Sequence, residues 1–181
     1  MKKSLIFSLL IGVSILISTM TLNCLAEDKT KGVAILHGTQ ADSPIAGVVK
    51  FTETEEGLLV EAEVFNVPNP GKHGFHIHNF GSCEDAGNAA GGHYNPTGAQ
   101  HGLLSKDGHA KAHAGDMGNI EIDQNGQGKL SLVLSEIGLT SGKYNVAGRA
   151  VILHEKEDDF GQPTGNAGGR IACGTIIVMG E

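Results

Sequence analysis

Histidines occur in this chain at spacings that suit metal binding. His76 and His78 lie two positions apart in the stretch 73–81, His-Gly-Phe-His-Ile-His-Asn-Phe-Gly. In a β-strand, alternate side chains point to the same face, so these two imidazoles would lie about 6.6 Å apart along one face. Phe75 and Ile77 would point to the other face and pack in a core. The stretch therefore predicts a strand that presents two nitrogen ligands to one metal ion. A half-exposed strand with two solvated histidines is the alternative.

The connection between residues 82 and 118 concentrates further side chains that could bind a metal or form a disulfide. These side chains are Cys83, His93, His101, His109, His113 and Asp116. Long connections in compact domains are usually functional or disordered, and a disordered segment would have little use for four histidines. We therefore expect a loop that is ordered by metal and by a disulfide.

A second polar connection, residues 155–169, is rich in glycine and separates two more chemically active side chains. His154 precedes it at the end of a predicted strand, and Arg170 follows it. Both connections could therefore converge over the strand face that carries His76 and His78.

The candidate ligands fall into two chemical sets. Neutral imidazole suits copper, zinc, iron and nickel, whereas imidazole mixed with carboxylate in a closed tetrahedron suits zinc. The nitrogen-only set comprises His76, His78 and His154. The mixed set comprises His101, His113 and Asp116. His93 could belong to either set.

The composition indicates a turn-rich β protein. The chain has 181 residues, which suits one domain with a substantial core, and it contains 27 glycines but no tryptophan. Its formal net charge is −7, without a basic run. This charge argues against nucleic acid or an anionic membrane surface as the partner.

The N-terminus has the pattern of an export signal. Two lysines precede an apolar run over residues 5–17, and residues 24–26 have the small-x-small pattern of a cleavage site. We expect residues 1–26 to be a signal peptide, not a membrane span, and residues 27–181 to form the domain, which is then periplasmic or secreted. Lipid attachment at Cys24 is the alternative. The signal holds two lysines and no acidic residue, so the mature net charge becomes −9.

Cysteine usage agrees with export. Cys83 and Cys173 remain after removal of the signal, an even pair 90 residues apart in the sequence. We expect them to form a disulfide in an oxidising compartment, and two buried free thiols are the alternative.

The mature chain is predicted to be all-β and antiparallel, with about eight strands in a sandwich or flattened barrel. Residues 66–71 carry two prolines and a glycine ahead of the histidine strand, and residues 123–126 form a hairpin signal. No long amphipathic helix is predicted. Besides the stretch 73–81, the predicted strands are 33–36, 45–51, 58–67, 119–122, 129–135, 144–154 and 171–179.

Five motifs in this chain resemble copper/zinc superoxide dismutases in sequence and in order, and the resemblance covers about residue 33 to the C-terminus. These motifs are Gly74-Phe75-His76-Ile77-His78, Gly92-His93-Tyr94-Asn95-Pro96, His113-Ala114-Gly115-Asp116, Gly148-Arg149 running to His154-Glu155-Lys156-Glu157-Asp158-Asp159, and Gly165 to Gly174. The resemblance implies an eight-stranded antiparallel Greek-key β-barrel or sandwich with two long functional loops.

The resemblance also implies roles for individual residues. It implies a copper site formed by His76, His78, His93 and His154. It implies a zinc site formed by His93, His101, His113 and Asp116, with His93 as the bridge. Asp158 would link a copper histidine to a zinc histidine, Arg170 would lie beside the copper, and Cys83 and Cys173 would form the family's disulfide.

The activity implied by the resemblance is conversion of superoxide to dioxygen and hydrogen peroxide, as antioxidant defence outside the cytoplasm. Copper would be reduced and reoxidised in alternation, Arg170 would dock the anion, and His93 would leave the reduced copper and accept a proton. Zinc would play a structural role. The resemblance does not indicate whether the protein is a monomer or a homodimer.

The segment 159–165 departs from the eukaryotic pattern, because it is short and lacks the residues that guide superoxide there. In this respect the chain is similar to bacterial exported forms. Lys72, Lys106 and Lys111 are candidates for steering the substrate.

Other histidines have simpler interpretations: we expect His109 at the surface, His73 bonded to backbone, and His37 in an ordinary strand or turn. Metal storage or copper transfer, a copper-only or zinc-only relative, and a purely structural sandwich are the competing function classes. Arg170 and the complete mixed ligand set argue against them.

Overall fold

The computed structural model describes residues 29–180. The predicted signal segment, residues 1–26, and the alternative lipid site at Cys24 lie outside the described residues. The strands are β1 Lys31–Gly38, β2 Ala46–Thr54, β3 Gly57–Phe65, β4 Gly71–His78, β5 Asp116–Ile122, β6 Gly128–Leu134, β7 Ile137–Gly138, β8 Tyr144–Asn145, β9 Ala150–His154, β10 Arg170–Thr175 and β11 Ile177–Val178. A 3₁₀ turn at Asn88–Ala90 and a short helix, α1 Leu104–Asp107, interrupt the first long loop.

Eight strands close into an antiparallel β-barrel. Their order is β10-β9-β4-β5-β6-β3-β2-β1, and β1 pairs with β10 to complete the barrel. β11 adds to the β1 edge, and β7 and β8 form a separate two-stranded pair. The consecutive strands β3 and β4 are separated in the barrel by β6 and β5, which is the crossover of a Greek key. The predicted all-β Greek-key fold is confirmed.

Alternation of side chains explains why the central strands face the barrel interior. In β3, Val60, Ala62 and Val64 are buried, while Glu61 and Phe65 point outward. One face of each such strand is apolar, so closing the barrel removes that face from water.

Two predicted strands are shorter than expected. The segment 144–154 is divided into β8 and β9, and the segment 171–179 is divided into β10 and β11. Between the pieces, the Gly148 N–H donates to the carbonyl of Ile176 and the Ile176 N–H donates to the carbonyl of Arg149. Gly148 has a φ of 73°, a conformation that glycine adopts without strain. These contacts are nonlocal, so they could not be predicted from alternation.

Strand β4 is buried on both faces from His73 to His78. Phe75 and Ile77 contribute to the apolar core, as predicted. The histidine face is covered by the two long loops, which follow β4 and β9. A disulfide between Cys83 and Cys173 joins the first loop to β10, as expected. Within residues 29–180, no helix has the length and apolar character needed to cross a membrane.

Candidate metal centre

Four buried histidines converge at one end of β4 and β9. Each offers one nitrogen, and the four nitrogens all lie within 4.8 Å of one another. We call this group the four-histidine cluster: His76, His78, His93 and His154. The antiparallel register pairs His76 with Ile152 and Phe75 with Leu153, which brings the end of β9 beside β4. An isolated bridge between His78 and His93 brings in the loop histidine.

A second group of ligand atoms adjoins the first and lies within the same 4.8 Å limit. We call it the aspartate cluster: His93, His101, His113 and Asp116. All four side chains are buried. Asp116 begins β5, whereas the histidines come from the preceding loop. The sequence left His93 open to either set, and the structure places it in both clusters.

The carboxylate of Asp116 is the centre of its cluster. Oδ1 lies 2.9 Å from Nδ1 of His93 and 3.1 Å from Nδ1 of His113. Oδ2 lies 2.9 Å from Nδ1 of His101 and accepts hydrogen bonds from the backbone N–H groups of Gly102 and His113. Three imidazole nitrogens therefore converge on one carboxylate, and this donor set is one that zinc prefers.

Electrostatics keep this carboxylate ionised. Burial alone would raise the pKa of Asp116, but hydrogen bonds from His101, His113 and His93 hold it well below its ordinary value. Burial alone would lower the pKa of His101, but hydrogen bonds to Asp116 and Asp158 raise it to about 9. In the metal-free protein the pair is therefore a protonated imidazole beside a negative carboxylate, and a metal ion that binds here would displace the proton of His101.

His93 can serve both clusters because imidazole has two nitrogens. Its Nδ1 faces Asp116 at 2.9 Å. Its ring centroid lies 4.1 Å from that of His76 and 5.0 Å from that of His78. Nε2 is therefore the nitrogen that remains for the four-histidine cluster.

The hydrogen bonds in the four-histidine cluster leave lone pairs directed inward. Nε2 of His76 donates to Asp158 at 2.8 Å, whereas its buried Nδ1 has no hydrogen-bond partner. Nδ1 of His78 donates to the carbonyl of Gly91 at 2.9 Å, which leaves a lone pair on Nε2. That Nε2 lies 3.3 Å from Nε2 of His154, whose Nδ1 faces a carbonyl at 3.4 Å. Nitrogen lone pairs that face one another repel, and a bound cation would remove that repulsion. The four-histidine cluster therefore fits a bound metal ion.

Burial also keeps these imidazoles neutral, which metal binding requires. Desolvation and the charge of neighbouring groups lower the pKa of His78 to about 2 and that of His154 to about 3. Burial lowers the pKa of His93 to about 4, although its hydrogen bond to Asp116 partly opposes the shift. A neutral nitrogen-only set of this kind suits copper.

Asp158 contacts one histidine of each cluster. Its Oδ2 accepts a hydrogen bond from Nε2 of His76, and Nε2 of His101 lies within 3.0 Å of both carboxylate oxygens. Burial would raise the pKa of Asp158, but the hydrogen bonds from His101 and His76 hold it below its ordinary value. The carboxylate therefore fixes the orientation of one histidine in each cluster.

Arg170 lies beside the four-histidine cluster at the start of β10. Nη1 donates to the carbonyl of Gly87 and Nη2 to the carbonyl of Gly91, each at 2.6 Å. Gly91 also accepts the hydrogen bond from His78, so one carbonyl holds both side chains. Burial lowers the pKa of Arg170, but a guanidinium remains charged at neutral pH. A positive charge is thereby fixed next to the cluster.

The disulfide supports this position of Arg170. Cys83 begins the segment that supplies the carbonyls of Gly87 and Gly91, and Cys173 lies in the same strand as Arg170. The hydroxyl of Thr39 also donates to the carbonyl of Arg170 at 2.6 Å.

The remaining histidines lie outside both clusters. His109 is half-buried rather than fully at the surface, because its ring stacks on Tyr144 and its Nε2 faces the carbonyl of Ser135 at 3.0 Å. His73 contacts two backbone carbonyls, as predicted. His37 is exposed in β1.

Sequence reasoning missed the backbone groups of the site. The carbonyls of Gly87 and Gly91 orient Arg170, and a carbonyl has no side-chain signal. It also missed Gln162, whose side chain contacts the backbone of His101. A lone glutamine in a polar loop has no recognisable pattern.

Comparison with known proteins agrees with this geometry. A family model described as copper/zinc superoxide dismutase matches residues 45–176. The solved structure of the clock protein EA4 superposes with a TM-score of 0.72 at 36% identity, and the match covers 83% of this chain and 96% of that chain. The chain therefore belongs to the copper/zinc superoxide dismutase family, enzymes that are oxidoreductases with copper and zinc as cofactors.

Proposed function

We propose that this protein removes superoxide outside the cytoplasm, with copper in the four-histidine cluster and zinc in the aspartate cluster. Two superoxide ions and two protons would give one dioxygen and one hydrogen peroxide. The observation that carries the proposal is that His93 belongs to both clusters, while the guanidinium of Arg170, which is fixed by two hydrogen bonds, lies beside the four-histidine cluster.

Copper would supply a centre that can be reduced and reoxidised by one electron, whereas zinc has no redox chemistry. The ligands of copper would be His76, His78, His93 and His154. The ligands of zinc would be His93, His101, His113 and Asp116. The chemistry of the donors supports this division, because only the second set contains a carboxylate.

Arg170 would dock the substrate. Superoxide is a small anion, and a guanidinium offers a permanent charge and several donors in a planar array. Nη1 and Nη2 of Arg170 are held by the carbonyls of Gly87 and Gly91. The charge is therefore already in place before the anion arrives, which lowers the cost of binding.

His93 would handle a proton. Formation of hydrogen peroxide consumes two protons, and Nε2 of His93 is the nitrogen of the shared imidazole that could carry one of them. Its Nδ1 would stay directed at Asp116, so the ring would keep its orientation during the transfer.

Long-range steering has fewer candidates than the sequence suggested. Lys72 is paired with Glu157 at 3.2 Å, which offsets its charge. Lys106 lines a cavity of about 500 Å³ together with Glu136 and Lys143, and no member of either metal cluster lines that cavity. Lys111 is exposed. We propose Arg170 as the main attractive charge, with Lys106 and Lys111 in a minor role.

Export is the remaining part of the proposal. Residues 1–26 would be removed as a signal peptide, and residues 27–181 would form the mature, bacterial-type exported enzyme. The disulfide between Cys83 and Cys173 supports an oxidising compartment, periplasmic or secreted. The short loop at residues 159–165 supports the bacterial type.

The test is dismutation of superoxide by the purified mature protein, first as isolated and then after a chelator has removed both metals. Copper and zinc are then added back separately. We expect activity to disappear with the metals and to return only with copper. A protein that binds both metals but stays inactive would contradict the proposal and would indicate metal storage or transfer.

A further inference from the structure

The loop after Asp158 contacts both the backbone and the imidazole of His101. Both side-chain amide atoms of Gln162 bond to the backbone of His101: the His101 N–H donates to Oε1 at 3.0 Å, and Nε2 donates to the His101 carbonyl at 2.9 Å. The two residues are 61 positions apart in the sequence. One side chain therefore satisfies both backbone groups of a residue in the aspartate cluster.

Other residues of the same loop contact the imidazole of His101. Asp158 accepts from its Nε2, and the ring of Phe160 stands nearly parallel to it, with centroids 6.3 Å apart. Gly165 also packs closely, because a Cβ atom there would lie 2.7 Å from Nε2 of His101. Its φ of 78° suits glycine.

The loop is itself closed by short-range hydrogen bonds. The Asp159 N–H donates to the carbonyl of Gly165, and the Gly165 N–H donates to the carbonyl of Gly161. The side chain of Asn166 donates to the carboxylate of Asp159. These bonds hold the loop in the conformation that presents Gln162 to His101.

We propose that Gln162 is a positioning residue for the aspartate cluster, and that it fixes the backbone of His101 so that Nδ1 stays directed at the zinc position. The proposal rests on the assignment of His101 as a zinc ligand. Asp158 orients the ring of His101, but the ring can keep its place only if the backbone does. Gln162 supplies that second constraint, from a loop that also carries the contact between Asp158 and His76.

The consequence is a selective effect on zinc. Gln162 is not a metal ligand, and none of its hydrogen bonds involves a residue of β4 or β9. Its removal should loosen His101 while the copper ligands His76, His78 and His154 keep their contacts. Two hydrogen bonds are lost, so we expect Gln162→Ala to release zinc about tenfold faster than the wild type.

The experiment compares wild type, Gln162→Ala and a matched control, Gln124→Ala, in the mature holoprotein. Gln124 is exposed in the turn at residues 123–126. The readouts are the rate of zinc transfer to a chromogenic chelator, the copper content, and the visible spectrum of Co²⁺ placed in the zinc position. The proposal expects faster zinc release and an altered Co²⁺ spectrum in Gln162→Ala only, with copper retained.

A zinc release rate in Gln162→Ala within twofold of the control would overturn the proposal. So would equal loss of copper and zinc together with a lower free energy of unfolding of the metal-free protein, because that result describes general destabilisation. If the wild type bound neither zinc nor Co²⁺, the assignment of the aspartate cluster would fail as well. The behaviour of the wild type therefore separates the two failures.

Discussion

Nε2 of His76 and Nε2 of His101 are bound by one carboxylate, that of Asp158, although the two histidines belong to different clusters. The carboxylate is fully buried, and it also accepts the backbone N–H of Phe160. Orientation of a histidine in one cluster is thereby coupled to orientation of a histidine in the other.

Asp158→Asn should weaken metal binding in the aspartate cluster about 10- to 100-fold, a usual cost of losing a partner that orients a ligand. The amide keeps one acceptor but places a donor against a histidine N–H. Competition with a chelator, followed by metal analysis, measures the effect. Asp42→Asn is the matched control, because Asp42 is exposed in the turn between β1 and β2 and lies outside both clusters and the loop after Asp158. Equal zinc affinity in both variants would contradict the coupling.

Arg170→Gln should lower kcat/KM for superoxide about 10- to 100-fold, because it removes the fixed charge beside the four-histidine cluster, the proposed copper site. Metal content should stay unchanged, since Arg170 is not a ligand. Pulse-generated superoxide, followed at several ionic strengths, gives the rate. The wild-type rate should fall as salt increases, and the variant should lose most of that dependence. A variant rate with the same salt dependence would show that the attraction arises elsewhere.

Removal of the disulfide should affect both stability and activity. The double variant Cys83→Ser, Cys173→Ser should lose about 2 to 5 kcal/mol of unfolding free energy, because a cross-link over a long loop limits the unfolded chain. Activity should also decrease, because the segment that supplies the carbonyls of Gly87 and Gly91 is no longer tied to β10. Urea unfolding and the dismutation rate measure the two effects. Full activity in a destabilised variant would show that the disulfide is not needed to position Arg170.

The metal-free protein should be most stable near pH 6.5. His78, His154 and His93 have folded pKa values of about 2, 3 and 4, whereas unfolded histidine titrates near pH 6.5. The unfolded chain therefore binds more protons below pH 6.5, and each residue lowers stability by up to about 1.4 kcal/mol per pH unit as the pH falls towards 4.

His101 has the opposite effect on the alkaline side. Its folded pKa is about 9, so its stabilisation is complete below pH 6.5 and is lost as the pH rises through 9. Urea unfolding of the metal-free, disulfide-intact protein between pH 4 and pH 9 tests the predicted loss of stability on the acid side and on the alkaline side. A free energy of unfolding that is constant between pH 4 and pH 6.5 would contradict the burial of neutral imidazoles.

The local features of the fold could be predicted from the sequence because backbone geometry fixes them. Alternation in a strand placed Phe75 and Ile77 in the core and His76 and His78 on the opposite face, and the structure confirms this. The kinds of ligand were also predictable, since the residue types themselves determine which metals they suit. Alternation failed between Asn145 and Ala150, where a nonlocal pairing with Ile176 replaces the strand.

The sequence by itself determined most of the strands, the pool of candidate metal ligands and the resemblance to the family. The tertiary structure decided which ligands share a cluster: His93 lies in both because a loop closes onto β4 by long-range contacts that no local pattern encodes. It also decided that the carbonyl of Gly91 holds both His78 and Arg170, and that Gln162 reaches His101 across 61 positions. The physical reason is that strand alternation depends on neighbours in sequence, whereas loop packing depends on partners that only the closed barrel brings together.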